Sequence, residues 1–133
     1  MTHVNGVQAE KHIKSVLEKE GLNIKVIHQP VDFLVNNKIY LEIKSCKFLV
    51  KRSNKDNYYQ NGRYECWHKK QLDKLLKINS WVCFVIEHRG QYIIQGFLKS
   101  KNLPNSRVIG HTSLERVGLR SLKQFIQYIN ETK

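Results

Sequence analysis

The sequence predicts a single mixed α/β domain covering residues 1–133, with a central mixed β-sheet flanked by helices in the order α-β-β-β-α-β-β-α. Three observations predict this class. Apolar residues recur at helical spacing near both ends of the chain, and the runs between them are rich in β-branched and aromatic residues. No repeat or Pro/Gly-rich linker divides the 133 residues, a length typical of one domain.

The first helix is expected over residues 5–20, with Asn5 as its cap and Gly21 as its stop. Its apolar stripe consists of Ala9, Ile13, Val16 and Leu17. The next elements are a β segment at 24–27, one strand around Asp32, one around Glu42, and a polar segment at 47–63.

A second helix is predicted over residues 64–78, followed by strands at 81–87 and 92–98 that a tight Arg89-Gly90 turn connects. The last element is an amphipathic helix over 119–129. Its apolar face consists of Leu122, Phe125, Ile126 and Ile129.

Two acidic residues lie in the predicted hairpin around Asn36-Asn37, where strands usually carry apolar side chains. Glu42 and Lys44 share one face of their strand because side chains two residues apart point the same way. A loop of residues 36–38 would place Asp32 opposite Glu42, whereas a two-residue turn would place it opposite Leu41. Asn tolerates the left-handed conformation that the longer loop requires.

A buried charge costs several kcal/mol unless it is compensated, and a divalent metal would compensate both carboxylates together with Lys44. The hairpin is therefore the predicted site of chemistry. The alternative interpretation is a plain surface hairpin whose outer positions are charged. That alternative explains why charged and apolar residues alternate in the second strand. It explains less well why Pro30-Val31-Asp32 leads into the first strand.

Two further polar residues lie close to apolar helical stripes. Glu10 is three residues from Ile13 and is expected at the edge of the buried stripe, from which it could reach the sheet. Gln71 lies four residues after Trp67 and four before Leu75, which predicts an amide near the middle of an apolar face. The alternative is that Glu10 reaches solvent and Gln71 bonds to local backbone.

The charge of the chain predicts a polyanionic partner. Its 23 Lys and Arg outnumber 11 Asp and Glu, which gives a formal net charge of +12 and favours nucleic acid. The charge is clustered, since eight Lys or Arg and two acids lie between residues 44 and 70. The predicted DNA-binding residues are Lys47, Lys51, Arg52, Lys55, Tyr58, Tyr59, Arg63, Lys69 and Lys70. Trp67 is interpreted as an anchor of the second helix in the core.

A cytoplasmic location without membrane contact is expected, because no apolar run reaches the roughly 20 residues of a membrane span and the N-terminus lacks the apolar region of a secretory signal. Cys46, Cys66 and Cys83 are odd in number and lack C-x-x-C spacing, which predicts reduced thiols. A zinc site built from Cys46, Cys66 and His68 is a minor alternative, because the spacing matches no structural zinc pattern.

The series formed by helical Glu10, Pro30-Val31-Asp32, Glu42-Ile43-Lys44-Ser45 and helical Gln71 resembles the PD-(D/E)XK nucleases. Within them it is most similar to the small archaeal Holliday-junction resolvases and their viral or plasmid relatives. The resemblance covers residues 10–86. It departs in that Val31 stands where the family places a Pro before the Asp, and in that the segment 47–63 is longer and more basic than a minimal resolvase needs.

The resemblance implies a restriction-endonuclease-like fold and a Mg²⁺ ion, replaceable by Mn²⁺, held by Asp32, Glu42 and the carbonyl of Ile43. Glu10 would hold a second metal or its water, and Lys44 would orient or help to deprotonate the attacking water. Gln71 would fix Lys44 or that water. No small-molecule cofactor is implied.

These inferences predict an endonuclease that hydrolyses DNA, with a Holliday junction or another branched structure as substrate. A homodimer is expected because two cuts in a duplex or a junction need two sites. The alternatives are a sequence-specific endonuclease of restriction or homing type, an RNA-directed nuclease, and a non-catalytic DNA-binding protein with the same fold.

Overall fold

The computed structural model describes residues 2–51, 59–67, 69–104 and 106–132, without the side chains of residues 2–5 and 51. The helices in this part of the chain are α1 (Thr2–Lys19), α2 (Lys69–Leu75), α3 (His111–Leu114) and α4 (Leu122–Glu131). The strands are β1 (Ile24–Val26), β2 (Phe33–Val35), β3 (Ile39–Lys47), β4 (Leu49–Lys51), β5 (Tyr59–Asn61), β6 (Arg63–Glu65), β7 (Ser80–His88), β8 (Gln91–Lys99) and β9 (Val108–Gly110).

Five of the described strands form the central sheet, in the spatial order β1-β2-β3-β7-β8. Strands β3 and β7 are parallel, and the other neighbouring pairs are antiparallel. Parallel strands need a long crossover connection, and the connection between β3 and β7 carries β4, β5, β6 and α2. The predicted mixed sheet flanked by helices is thus confirmed, and the short strands β4, β5, β6 and β9 are additional to the predicted order.

Different elements cover the two faces of this sheet. On the first face, β3 side chains such as Leu41 and Ile43 pack in one hydrophobic core with residues of α1 and α4. On the second face, Val82 and Phe84 of β7 pack in another core with Tyr64 of β6. Because side chains alternate along a strand, the even-numbered positions of β3, residues 40–46, lie on the second face.

Helix α1 begins at Thr2, so the prediction that Asn5 caps it is wrong. It ends before Gly21 as predicted, and Gly21 has a φ of 86°, which a residue without a Cβ adopts freely. No helix in the described part of the chain, including the 18-residue α1, is long and apolar enough to cross a membrane.

The prediction of a helix over residues 64–78 is wrong in its first part. Tyr64 lies in β6, where it pairs with Ile109 of β9 and is completely buried. This pairing with a strand more than forty residues away overrides the local helical pattern. Helix α2 therefore begins only at Lys69, and Leu75 is the residue that it buries.

Helix α4 begins at Leu122 rather than at the predicted residue 119. Ser121 caps it: the Ser121 hydroxyl accepts a 3.1 Å hydrogen bond from Gln124 N–H, and the Gln124 side chain accepts one of 2.8 Å from Ser121 N–H. The preceding Arg120 is held in extended conformation because its backbone bonds to Phe97 of β8. Phe125 and Ile129 are buried, as the apolar face predicts.

Candidate active site

The register of the β2–β3 hairpin places Asp32 level with Glu42. Val35 pairs with Ile39 and Phe33 with Leu41, so residues 36–38 form a three-residue loop. Asn36 and Asn37 adopt the left-handed conformation, with φ values of 51° and 56°. The longer of the two loops considered from the sequence is therefore present.

Asp32 is fixed at its backbone and at its carboxyl group. Its carbonyl accepts a 3.0 Å hydrogen bond from Ile27 N–H, and the preceding Val31 is 2% exposed. Its Oδ2 atom accepts a 2.8 Å hydrogen bond from Ile43 N–H. Within a strand the N–H and C=O of one residue point toward the same neighbour, so the Ile43 carbonyl also points toward Asp32, beyond the end of β2.

Glu42 and Lys44 lie side by side on the second face of the sheet. Lys44 Nζ is 3.8 Å from Glu42 Oε2, and the side chains are 23% and 15% exposed, respectively. Lys44 Nζ also lies 4.8 Å from the centre of the Trp67 ring. The ammonium group thus lies between the Glu42 carboxyl group and the Trp67 ring.

Helix α1 delivers Glu10 to the same cluster. Its neighbours Ala9 and Ile13 are completely buried in the first core, which fixes the rotation of the helix and leaves Glu10 half-buried at the edge of the stripe. The Glu10 carboxyl lies close enough to Asp32 for the two groups to interact. The structure therefore brings Glu10, Asp32, Glu42 and Lys44 together.

Burial and the proximity of Asp32 raise the pKa values of two carboxyl groups. For Glu10, burial, the hydrogen bond to Asp32 and the charge of Asp32 raise the pKa to about 8. For Glu42 the same three causes raise the pKa to about 9, although the charge of Lys44 opposes them. At neutral pH and without a bound cation, both glutamates therefore hold a proton.

The donor set of this carboxyl cluster, defined as Glu10, Asp32 and Glu42, suits a hard divalent cation, which prefers oxygen ligands. Burial and the proximity of Asp32 raise the two pKa values, and Lys44 supplies one positive charge against three carboxyl groups, so a cation would stabilise the ionised carboxylates. Among the described residues, however, no three His, Cys, Asp or Glu side chains are spaced as ligands of one ion. Asp32 interacts with both glutamates.

Gln71 does not lie where the sequence predicts. Helix α2 is only seven residues long, and Gln71 is exposed on it. The prediction assumed that Trp67 and Gln71 belong to one helix, in which residues four apart lie on the same face. Trp67 precedes α2, so this spacing does not place the two side chains on a common face. The prediction that Gln71 is a buried amide is wrong, and the structure does not connect it to the carboxyl cluster.

Trp67 lies beside Lys44, a position that its sequence pattern did not predict. It is half-buried next to the second core and contacts Lys44. Its position two residues before the basic pair Lys69 and Lys70 was the available signal in the sequence. The sequence pattern could not predict the contact between Trp67 and Lys44, because this contact depends on the packing of β6 on the second face of the sheet.

The described members of the predicted DNA-binding set lie at the surface. Lys47, at the end of β3, and Arg63 of β6 are exposed, Tyr59 of β5 is 56% exposed, and Lys69 and Lys70 are exposed in the first turn of α2. Arg52, Lys55 and Tyr58 lie outside the described residues, as does the side chain of Lys51.

A buried hydrogen-bond network attaches this basic region to the sheet. The Tyr64 hydroxyl donates to Gln95 Oε1 at 2.8 Å, and Gln95 Nε2 donates to the His111 carbonyl at 2.6 Å. His111 Nε2 lies 2.8 Å from the Phe48 carbonyl. Strands β4 to β6 are therefore tied to β8 and α3 rather than projecting freely into solvent.

Searches against family models, curated proteins and solved structures gave no match to this chain. The assignment of a function therefore depends on the geometry of the carboxyl cluster, on the charge of the chain and on the motif resemblance.

Proposed function

We propose that the protein is a Mg²⁺-dependent endodeoxyribonuclease with a restriction-endonuclease-like fold. The observation that carries this proposal is the convergence of the three carboxyl groups of Glu10, Asp32 and Glu42 beside Lys44. A structural role alone gives no reason for such an arrangement, since repulsion and burial raise two of the pKa values well above 4.5.

Asp32, Glu42 and the Ile43 carbonyl would hold the ion, with Glu10 as a further ligand or as a holder of its water. Bound Mg²⁺ would supply an acidified water molecule and positive charge for the phosphate in the transition state. The hydrogen bond from Ile43 N–H fixes the orientation of Asp32 Oδ2 before any ion arrives.

Lys44 would act on the substrate and the attacking water. Its ammonium group is positioned by Glu42 at 3.8 Å and by Trp67 at 4.8 Å from the ring centre. A fixed ammonium group stabilises negative charge that develops on the scissile phosphate, and it orients a water through its N–H donors. A Gln in place of Lys44 could orient a water molecule, but it could not stabilise the negative charge on the phosphate.

The exposed cations Lys47, Arg63, Lys69 and Lys70 would bind the phosphate backbone, which provides most of the affinity of such complexes. A branched DNA such as a Holliday junction is the proposed substrate, and a homodimer would supply the two active sites that two cuts require. Mn²⁺ would replace Mg²⁺, because it also accepts carboxylate and carbonyl oxygens.

The test is incubation of the purified protein with Mg²⁺ and a set of four-way junction, flap, linear duplex, single-stranded and RNA substrates. We expect cleavage of at least one DNA substrate that stops when EDTA is added. Tight DNA binding without cleavage of any substrate would contradict the proposal and would favour the non-catalytic DNA-binding alternative.

A further inference from the structure

A cavity of about 670 Å³ lies between the end of β8 and helix α4. Its lining residues include Trp81 of β7, Lys99 at the end of β8, Tyr128 of α4, and Arg120, which precedes α4. Its volume is within the range of roughly 300–1,000 Å³ that is typical of small-molecule sites. None of Glu10, Asp32, Glu42 and Lys44 lines it.

The cavity carries excess positive charge. Lys99, Lys101 and Arg120 line it, together with the single acid Glu131. Within the described part of the chain, none of these three cations lies within 4.0 Å of a carboxylate. A second hollow of about 250 Å³ shares Lys99, Lys101 and Tyr128, so these residues form the ridge between the two depressions.

Aromatic rings hold Lys99 at the wall of the cavity. Its Nζ atom is 4.7 Å from the centre of the Tyr128 ring and 5.7 Å from that of Trp81. The rings of Trp81 and Tyr128 are themselves in contact, with centres 4.8 Å apart. A cation fixed in this way loses less side-chain entropy when it binds an anion than a free surface lysine does.

The indole group of Trp81 is buried in the wall of the cavity. Trp81 is 3% exposed, and its Nε1–H has no acceptor with hydrogen-bond geometry among the described residues, although the Tyr128 hydroxyl interacts with it at longer range. Because this indole packs against Tyr128 and lies near the Lys99 ammonium group, its N–H signal should report on a ligand that binds beside them.

We propose that this cavity binds the phosphate group of a nucleotide, either free or within a nucleic-acid strand. Lys99, Lys101 and Arg120 match the charge of a phosphate, and the partly exposed Tyr128 ring offers a surface for a base or a sugar. The proposal does not depend on cleavage by the carboxyl cluster, none of whose residues lines the cavity. Its ligand is recognised by charge rather than through a metal.

The test uses the ¹⁵N-labelled full chain without divalent metal and follows the indole N–H signal of Trp81 by NMR. The chain has two tryptophans, so a Trp67→Phe variant assigns the signal. The probes are dAMP, deoxyadenosine without phosphate, and a short single-stranded oligodeoxynucleotide. We expect a saturable shift with dAMP or with the oligonucleotide, and the tighter of the two identifies the source of the phosphate.

Two single substitutions, Lys99→Ala and Lys101→Ala, should each weaken this binding by about tenfold, as expected when one charge-assisted hydrogen bond is removed. Lys101 is exposed, so its replacement leaves the fold intact. The matched control is Lys123→Ala, which removes the same charge from an exposed position of α4 that does not line the cavity. The proposal is overturned if neither phosphate ligand shifts the signal, if deoxyadenosine binds equally well, or if Lys123→Ala weakens binding as much as Lys101→Ala.

Discussion

The Oδ2 atom of Asp32 accepts a 2.8 Å hydrogen bond from the backbone N–H of Ile43, across the end of the β2–β3 hairpin. This contact links the carboxyl group that starts one strand to the backbone between Glu42 and Lys44 on the next. It also turns the Ile43 carbonyl toward the same point. The loop at Asn36 and Asn37 sets the register of the hairpin. That register positions four of the proposed functional groups: Asp32, Glu42, the Ile43 carbonyl and Lys44.

The first prediction concerns stability and pH in the absence of divalent metal. Between pH 4.5 and about 8 to 9, Glu10 and Glu42 hold their protons in the folded protein, whereas the unfolded chain has lost them. The folded state then binds more protons, so the free energy of unfolding falls as the pH rises through this window. Thermal unfolding in EDTA should therefore show a melting temperature that decreases from pH 5 to pH 9.

A Glu42→Gln variant should show a flatter decrease, because its amide does not titrate. Glu18→Gln is the matched control, since Glu18 lies on the surface of α1 in an exposed pair with Lys14. A wild-type melting temperature that rises over the same pH range would contradict the assigned pKa values.

The second prediction concerns metal binding. Mg²⁺ or Mn²⁺ should raise the melting temperature of the wild-type protein, and by more at pH 8 than at pH 6, because the carboxyl groups must release protons to bind the ion. Titration calorimetry in two buffers of different ionisation enthalpy should detect that proton release at pH 7. Asp32→Ala should abolish the stabilisation, whereas Glu18→Gln should preserve it. Equal stabilisation of wild type and Asp32→Ala would place the ion elsewhere.

The third prediction concerns the basic surface. Replacing Lys47, Arg63, Lys69 and Lys70 together by Ala should weaken binding to all DNA sequences. It should also reduce the slope of log K against log salt concentration by about 0.9 for each phosphate that the variant no longer neutralises. A second variant with Lys51, Arg52 and Lys55 replaced tests the neighbouring stretch in the same assay.

The control for this experiment removes the same number of charges from exposed positions elsewhere: Lys19, Lys25, Lys77 and Lys123. Its salt slope should remain near that of the wild type. If the control loses as much affinity and slope as the first variant, the net charge of the chain rather than this surface binds DNA.

The fourth prediction concerns the attachment of β5 and β6 to the end of β3. A Cβ atom at Gly62 would clash with the Lys47 carbonyl oxygen, a backbone atom that cannot move aside cheaply. Gly62→Ala should therefore reduce the free energy of unfolding by more than about 2 kcal/mol. Gly6→Ala in α1 is the control, because its Cβ meets nothing within 4 Å and Ala favours a helix. Similar melting temperatures for the two variants would contradict the close approach.

Local patterns predicted the parts of the fold that local interactions determine. The alternation around Glu42 and the left-handed tendency of Asn36 and Asn37 were sufficient to predict the hairpin, whereas the choice of the three-residue loop over a two-residue turn needed the structure. The turn at Arg89 and Gly90 was predictable for the same reason, and both residues have positive φ.

The elements that long-range pairing determines could not be predicted in this way. Tyr64 has a helical pattern around it, yet it joins β9, and Arg120 is held extended by Phe97. The wrong prediction for Gln71 followed from the wrong prediction for Tyr64. Because Tyr64 lies in a strand, the helix begins only at Lys69, and Gln71 is exposed on it. Glu10 was predictable only as a helix-edge residue, because its contact with Asp32 depends on how α1 packs on the sheet.

The central claim is that the carboxyl cluster cleaves DNA. The most direct measurement is single-turnover cleavage of the best DNA substrate in Mg²⁺ at saturating protein, with wild type, Glu42→Gln and Glu18→Gln. We expect Glu42→Gln to reduce the rate constant on the order of 100-fold or more while DNA affinity stays within a few fold, and Glu18→Gln to match the wild type. Cleavage by Glu42→Gln at the wild-type rate would contradict the account.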